Sequence, residues 1–416
     1  MELKPGYTQT EVGVIPADWT VRPVRDVCKL INGRGFKPYE WKTTGLPIIR
    51  IQNLNGSDDF NYFSGAYDKK LEVEPGQLLF AWSGSRGSSF GPHIWRGPLG
   101  VLNYHTWKVQ IREAETNKSF LAHLFRQLTS TIEGKAHGAS ALVHTQKWEM
   151  EGYLLPVPTK AEQAAIAQAL SDADALIEAL DQLIAKKRQI KQGAMQELLT
   201  GKRRLPGFSG EWVVRPLASV VADLEAGVSV NSIEITDPFS TAEPCILKTS
   251  AIFDGNFNPA ECKLIDHRDT SRARLSPRRD SIIISRMNTP NLVGEVGYVA
   301  EDFPSLYLPD RLWMTRFVNG ADVSVRWLSY VLSSPLNKES IKGLATGTSG
   351  SMKNISKSAF LSLHIAFPSE SEQTAIANIL SDMDTEIAAL QSQLAKARQI
   401  KQGMMQELLT GRIRLL

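Results

Sequence analysis

Two stretches of the chain carry apolar residues at alternating steps of four and three. Ile166, Leu170, Ala173, Ile177, Leu180 and Ile184 form one seam, and Ile376, Leu380, Met383, Ile387, Leu390 and Leu394 form the other. That spacing belongs to a helix that buries one stripe against a partner helix, so both stretches are predicted as long coiled-coil helices. Thr159-Lys-Ala-Glu162 and Ser369-Glu-Ser-Glu372 have the form of capping boxes, in which a hydroxyl takes a free N–H and the Glu reaches back. Both stretches close on Leu-Leu-Thr-Gly, placing Gly201 and Gly411 where a left-handed residue ends a helix. About 40 residues at 1.5 Å rise make each roughly 60 Å long. Gly193 and Gly403 interrupt them where the seam becomes charged, near Lys187 and Lys191. A close backbone approach or a slight kink is expected there.

The two helices are copies. Ala161–Leu205 and Ser371–Leu415 align without a gap at an offset of 210, with roughly 29 of 45 positions identical. Two such helices in one chain can cover each other, so antiparallel pairing within the chain is expected. That pairing does not account for the repeated polar stretch Arg-Gln-Ile-Lys-Gln-Gly (Arg188–Gly193, Arg398–Gly403). A partner that docks twice would account for it, through Arg188, Gln189, Lys191, Gln192, Arg398, Gln399, Lys401 and Gln402.

The intervening segments share landmarks in the same order. Each opens on a similar phrase, Trp19-Thr-Val-Arg-Pro23 and Trp212-Val-Val-Arg-Pro216. Strands are predicted at Pro47–Ile51, Leu78–Trp82 and Trp107–Ile111, and again at Cys245–Lys248, Ile282–Ser285 and Trp313–Phe317. A helix follows in each (Phe120, Leu121, Leu124; Trp327, Leu328, Val331), then a Gly/Ser loop (Gly138–Ala141; Gly347–Ser351). Closing strands, Leu154–Pro158 and His364–Pro368, lead into the capped helices. The expected fold is α+β, one duplicated unit: domain 1–158, helix 159–205, domain 206–368, helix 369–416. Helices kept alike beside domains that diverged imply a constant partner for the helices and a separate target for each domain.

Composition narrows the function. The 416 residues carry a formal charge of +3 and an ordinary apolar fraction of 42%, as in a globular protein. No run approaches a membrane span and the N-terminus lacks a signal-peptide core, so a cytoplasmic location is expected. Cys28, Cys245 and Cys262 have no metal-ligand spacing, and no metal is expected. There is no phosphate-binding G-x-x-x-x-G-K-[ST] loop and no Asn/Asp-Pro-Pro-Tyr/Phe element of the kind that holds a flipped base. Glu261-Cys-Lys263 fits half of a nuclease metal site, but Asp237 and Asp254 stand in no recognisable frame with it.

Reading DNA needs Arg, Lys, Asn, Gln and Ser on loops that reach a groove. The first domain offers Arg34, Lys37, Arg50, Gln52, Asn53, Ser83, Ser85, Arg86, His144 and Lys147. The second offers Lys248, Thr249, Arg286, Asn288, Thr289, Ser351, Lys353, Asn354 and Lys357. A basic run with Arg272, Arg274, Arg278 and Arg279 suits phosphates. At the offset of 210, His144 aligns with Asn354 and Lys147 with Lys357. Each of these residues taken singly is also an ordinary solvated side chain. Trp82, Trp95, Trp107, Trp148 and Trp313 are expected in the core.

This order of parts resembles the specificity subunit of Type I restriction-modification systems over its full length. Trp19 and Trp212, Pro158 and Pro368, Glu162-Gln163 and Glu372-Gln373, and the Gln-Glu-Leu-Leu-Thr-Gly ends carry the resemblance. It implies two target recognition domains, each reading half of a split, asymmetric DNA sequence, and two helices that set the gap and bind two methyltransferase subunits. A restriction/translocase subunit completes the assembly. The chain itself would be non-catalytic and hold no cofactor, with S-adenosylmethionine and ATP on its partners. A stand-alone DNA-modifying enzyme and a coiled-coil scaffold without DNA recognition are the alternatives.

Overall fold

The computed structural model describes residues 3–112, 115–135, 142–235, 243–347 and 351–415. Asp237, the loop Gly138–Ala141 and most of Gly347–Ser351 lie outside these residues. The chain forms two compact units, Met1–Gln182 with Gln391–Leu416, and Leu183–Leu390. Each holds one of the diverged domains and a part of both long helices.

In unit 1 a four-stranded antiparallel sheet has Leu78–Ala81 and Thr106–Ile111 at its centre, flanked by Gly91–Ile94 and Cys28–Asn32. Leu78–Ala81 is apolar throughout because both its faces are covered. Leu78 and Phe80 point to one core with Phe120 and Phe125 of the helix Lys118–Lys135. Leu79 points to a second core with Ile49, Val73 and Leu102 of a smaller sheet. Unit 2 repeats this. Ile282 and Ile284 meet Trp327 and Leu328, while Ile283 meets Cys245 and Leu247 in the smaller sheet. The opening and closing strands of each domain pair antiparallel, Thr20–Pro23 with Leu154–Val157 and Val213–Pro216 with His364–Phe367. All the strands read from the sequence are present within a residue or two.

Both long helices form, Lys160–Leu198 and Glu370–Leu408. They pair antiparallel within each unit: Arg398 reaches Asp181 (2.9 Å) and Lys401 reaches Asp174 in unit 1, while Lys187 meets Glu386 (2.6 Å) and Lys191 meets Asp384 (2.5 Å) in unit 2. The seam residues Ile166, Leu170, Leu180, Ile184, Ile376, Leu380, Ile387 and Leu394 are buried. Gly201 and Gly411 end the helices at φ of +69° and +70°. The close backbone approach expected at Gly193 and Gly403 is not met. Both helices run through unbroken, and a Cβ at either glycine would meet nothing within 4 Å.

The capping boxes form only by half. Thr159 and Ser369 accept the backbone N–H of Glu162 and Glu372 (both 3.3 Å). The two carboxylates turn elsewhere, and both are buried. Arg414 donates to Glu162 through Nε and Nη2 (2.5 and 2.8 Å) and also grips Asp18, while Trp19 Nε1 donates to the same carboxylate (3.0 Å). Arg204 donates to both oxygens of Glu372 (2.6 Å each) and lies over Trp212. The glutamines beside them bind main chain. Gln163 Nε2 donates to Pro158 O (3.0 Å) and its Oε1 accepts from Asn117 N (2.8 Å). Gln373 repeats this with Pro368 O (2.9 Å) and Ser324 N (2.9 Å). The Glu-Gln pair thus fastens each helix start to its own domain and to the end of the opposite helix.

Candidate nucleic-acid interface

In each unit the turn before the long central strand is a hub where three segments meet. In unit 1 this turn is Leu102–Thr106. Arg34 N donates to Leu102 O (3.0 Å), Asn103 N to Ile49 O (3.1 Å), and Trp82 N to His105 O (3.2 Å). In unit 2 Val228 N donates to Leu308 O (3.1 Å) and Arg286 N to Arg311 O (3.1 Å). A Cβ at Gly33 would lie 2.0 Å from Asn103 O, and one at Gly227 1.7 Å from Leu308 O, so only glycine allows these approaches.

Beside the hub, each unit carries a short two-stranded ribbon. Ser83–Ser85 pairs with Leu142–His144, setting Ser83 against His144. Met287–Asn288 pairs with Lys353–Asn354, setting Asn288 against Lys353. The ribbons are fixed alike, Thr145 N to Trp82 O (3.0 Å) and Ile355 N to Arg286 O (2.9 Å). Trp82 and Arg286 therefore hold equivalent places. Trp82 stacks on Trp107 with centroids 6.1 Å apart, and its Nε1 donates to Tyr104 O (2.8 Å). The Arg286 guanidinium carbon lies 5.7 Å from the Trp313 centroid.

The structure thus gathers Ser83, Ser85 and His144 at one ribbon, and Arg286, Asn288, Lys353 and Asn354 at the other. Arg34 and Arg50 flank the hub of unit 1. Arg34 pairs with Glu40 and lies over Phe36 and Phe63 (4.6 and 4.9 Å), while Arg50 lies over Trp41 (5.4 Å). Lys37 precedes the turn that Glu40 caps through Lys37 N (2.8 Å). Ser85, at the end of the first ribbon strand, and Arg86, on the loop after it, are exposed.

Other residues are engaged elsewhere. Asn53 is buried, accepts from Arg50 N (3.0 Å) and donates to Ser57 O and Asp59 O, so it holds its own turn. Gln52 also donates to Asp59 O (3.0 Å). Lys248, just before Thr249, pairs with Glu234 (2.9 Å), Arg272 with Asp269 (3.1 Å), Lys147 with Glu151 (3.5 Å) and Lys357 with Asp223 (3.2 Å). Arg278 pairs with Glu225 and Arg279 with Asp280. Of the basic run, Arg274 alone is exposed without an ion pair among the described residues. The Trp expectation fails at Trp148, which is 73% exposed. Tyr104 and Arg311, exposed in the hub turns, were not singled out from sequence because the turns only become sites once the ribbons pack beside them.

No group of residues suited to a metal ion occurs among the described residues. Of the residues considered for a nuclease-like site, Asp254 is bound to Lys338 (2.9 Å) and Glu261 accepts from Ser250 (2.8 Å), while Asp237 lies outside the described residues. No helix among the described residues is long and apolar enough to cross a membrane.

The polar repeat on the helices divides in two. Lys191 and Lys401 lie in the ion pairs with Asp384 and Asp174, and Arg398 in that with Asp181. Arg188, Gln189, Gln192, Gln399 and Gln402 are exposed, as are Ile190 (48%) and Ile400 (52%).

The family model for the type I restriction modification DNA specificity domain matches residues 16–190 and 269–399, which cover most of the first domain, the later part of the second and most of both helices. The chain belongs to this family. It is 23% identical to the type I restriction enzyme MjaVIII specificity subunit of Methanocaldococcus jannaschii, over 96% of this chain and 94% of that one. It is also 23% identical to the EcoKI specificity subunit of Escherichia coli K12, over 96% and 90%. The crystal structure of the S subunit from M. genitalium shares its fold, with a TM-score of 0.61 over 98% of each chain at 14% identity. A second solved chain, from a study of complex assembly in the type I R-M system, has a TM-score of 0.55 at 16% identity, over 96% of this chain and 99% of that one. The chain is a specificity subunit of a type I restriction-modification system, the component concerned with DNA target recognition.

Proposed function

We propose that the chain reads a bipartite, asymmetric DNA target, one half with each unit, and carries its partners on the paired helices. The observation behind this is the pair of ribbons. They sit at the same place on the same frame yet present Ser83, Ser85 and His144 in one unit, and Arg286, Asn288, Lys353 and Asn354 in the other. Equal frames with unequal edges suit two half-sites of different sequence.

The repeated exposed residues Arg188, Gln189, Ile190 and Gln192, with Gln399, Ile400 and Gln402, form two like surfaces for two methyltransferase subunits. Lys191, Lys401 and Arg398 serve the pairing of the helices instead. A restriction/translocase subunit joins the same assembly. S-adenosylmethionine and ATP belong to these partners, and the chain acts as address and scaffold without catalysing a step.

A genome-wide map of N6-methyladenine tests this, in cells with the chain and its methyltransferase and in cells lacking the chain. A split asymmetric motif that disappears with the chain is the expected result. Methylation by the purified chain alone would show it to be an enzyme, and an unchanged map would leave only a scaffold.

A further inference from the structure

Unit 2 holds an arginine whose surroundings do not use it. Arg286 is half-buried, and its Nε is shielded from solvent without a hydrogen-bond partner. Its terminal nitrogens enter none of the hydrogen bonds or ion pairs found among the described residues. The same unit pairs Arg204, Arg268, Arg272 and Arg278 with carboxylates. A donor shielded from water and left without an acceptor is costly, and the rest of the guanidinium has no counter-charge, so the side chain marks a place completed by something else.

The surroundings are of one kind. Trp313 Nε1 and Asn354 Oδ1 are likewise shielded and unpartnered. The Arg286 backbone is held on both sides, by Arg311 O and Ile355 N, and its guanidinium lies by the Trp313 ring. The side chain is therefore oriented before any ligand arrives, at the ribbon that also carries Asn288 and Lys353. In unit 1 the equivalent Trp82 donates its indole N–H to Tyr104 O.

From this geometry, and resting on the function proposed above, we infer that Arg286 reads a guanine in the second half-site. A guanidinium presents two N–H groups in one plane at the spacing of guanine O6 and N7 in the major groove, and the Trp313 ring beside it restricts where that group can lie. A phosphate would need charge but not a fixed plane. Unit 1 has no arginine in this slot and reads its half-site with other groups.

The test compares methylation maps for the unaltered chain, Arg286→Ala and Arg286→Lys, each with its methyltransferase. Both variants are expected to keep the first half-site and the gap while one guanine of the second half-site becomes degenerate. Discrimination at that position should fall by about 10- to 100-fold. Arg286→Lys keeps the stem and the charge, so it decides the matter if the alanine variant fails to fold. A uniform loss that lysine restores, with no position relaxed, would overturn the assignment in favour of a phosphate contact. Relaxation at a base other than guanine would overturn it as well. If the unaltered chain yields no split motif, the proposed function itself has failed and the assignment falls with it.

Discussion

Asp174 shows how one residue ties a recognition domain to both helices. It stands on the first long helix and takes Lys401 from the second and Arg126 (3.0 Å) from the domain helix, with His123 beside it. Asp384 takes Lys191, Arg326 (3.5 Å) and Tyr330 (2.6 Å) in the same way. Burial raises the Asp174 carboxyl, but the Lys401 hydrogen bond and the surrounding cations outweigh it and hold it below the usual range. Burial pushes the His123 imidazole from 6.5 down to about 4; Arg126 and Lys401 add to this, against Asp174. His123 is therefore neutral in the fold, whereas the unfolded chain binds a proton below about 6.5. Its contribution is fully present above that pH and is lost as pH falls from about 6.5 towards 4, amounting at most to about 3 kcal/mol. Asp174 acts with the same sign at lower pH. His123→Tyr, which installs the residue of the other unit, should flatten the fall in unfolding midpoint over this window. An unchanged slope in thermal melts at stepped pH would remove His123 from the account.

The elements were the most legible part of the sequence, because the duplication let each weak strand signal be read twice. What escaped was whatever depends on distant partners. Lys191 and Arg188 look alike in a repeated polar stretch, and only the packed helices show that one meets Asp384 while the other stays in water. Asn53 looks like a loop amide available to a base, yet three bonds within its own turn hold it. The Trp82–Arg286 equivalence was hidden because insertions shift the register between the domains, away from the fixed offset of the helices. Gly193 and Gly403 are the clearest remaining question at this scale. They weaken helices that leave open space around them. Gly193→Ala and Gly403→Ala should each stabilise the chain by about 0.5–1 kcal/mol, read as a raised unfolding midpoint. Glutamine at both places should keep most of that gain but crowd a partner packed on bare backbone, so fewer methyltransferase subunits should be retained in pull-down. Full retention would mean that the partner does not use these positions.

At the scale of the whole chain, the proposed function predicts that reading and spacing can be varied separately. Each unit closes its own contacts: Glu162 with Arg414 and Asp174 with Lys401 in one, Glu372 with Arg204 and Asp384 with Lys191 in the other. The unit boundary falls between Gln182 and Leu183 on the first helix and between Leu390 and Gln391 on the second. A heptad inserted at both points preserves the 3.5-residue phase of the seam and disturbs none of those contacts. Seven residues add about 10 Å of helix, equal to about three base-pair steps. The methylated motif of such a variant should keep every base of both half-sites while the unread gap between them widens by up to about three base pairs. A gap of unchanged length would mean that the helices do not set the spacing. Altered bases within a half-site would mean that reading and spacing are not separable.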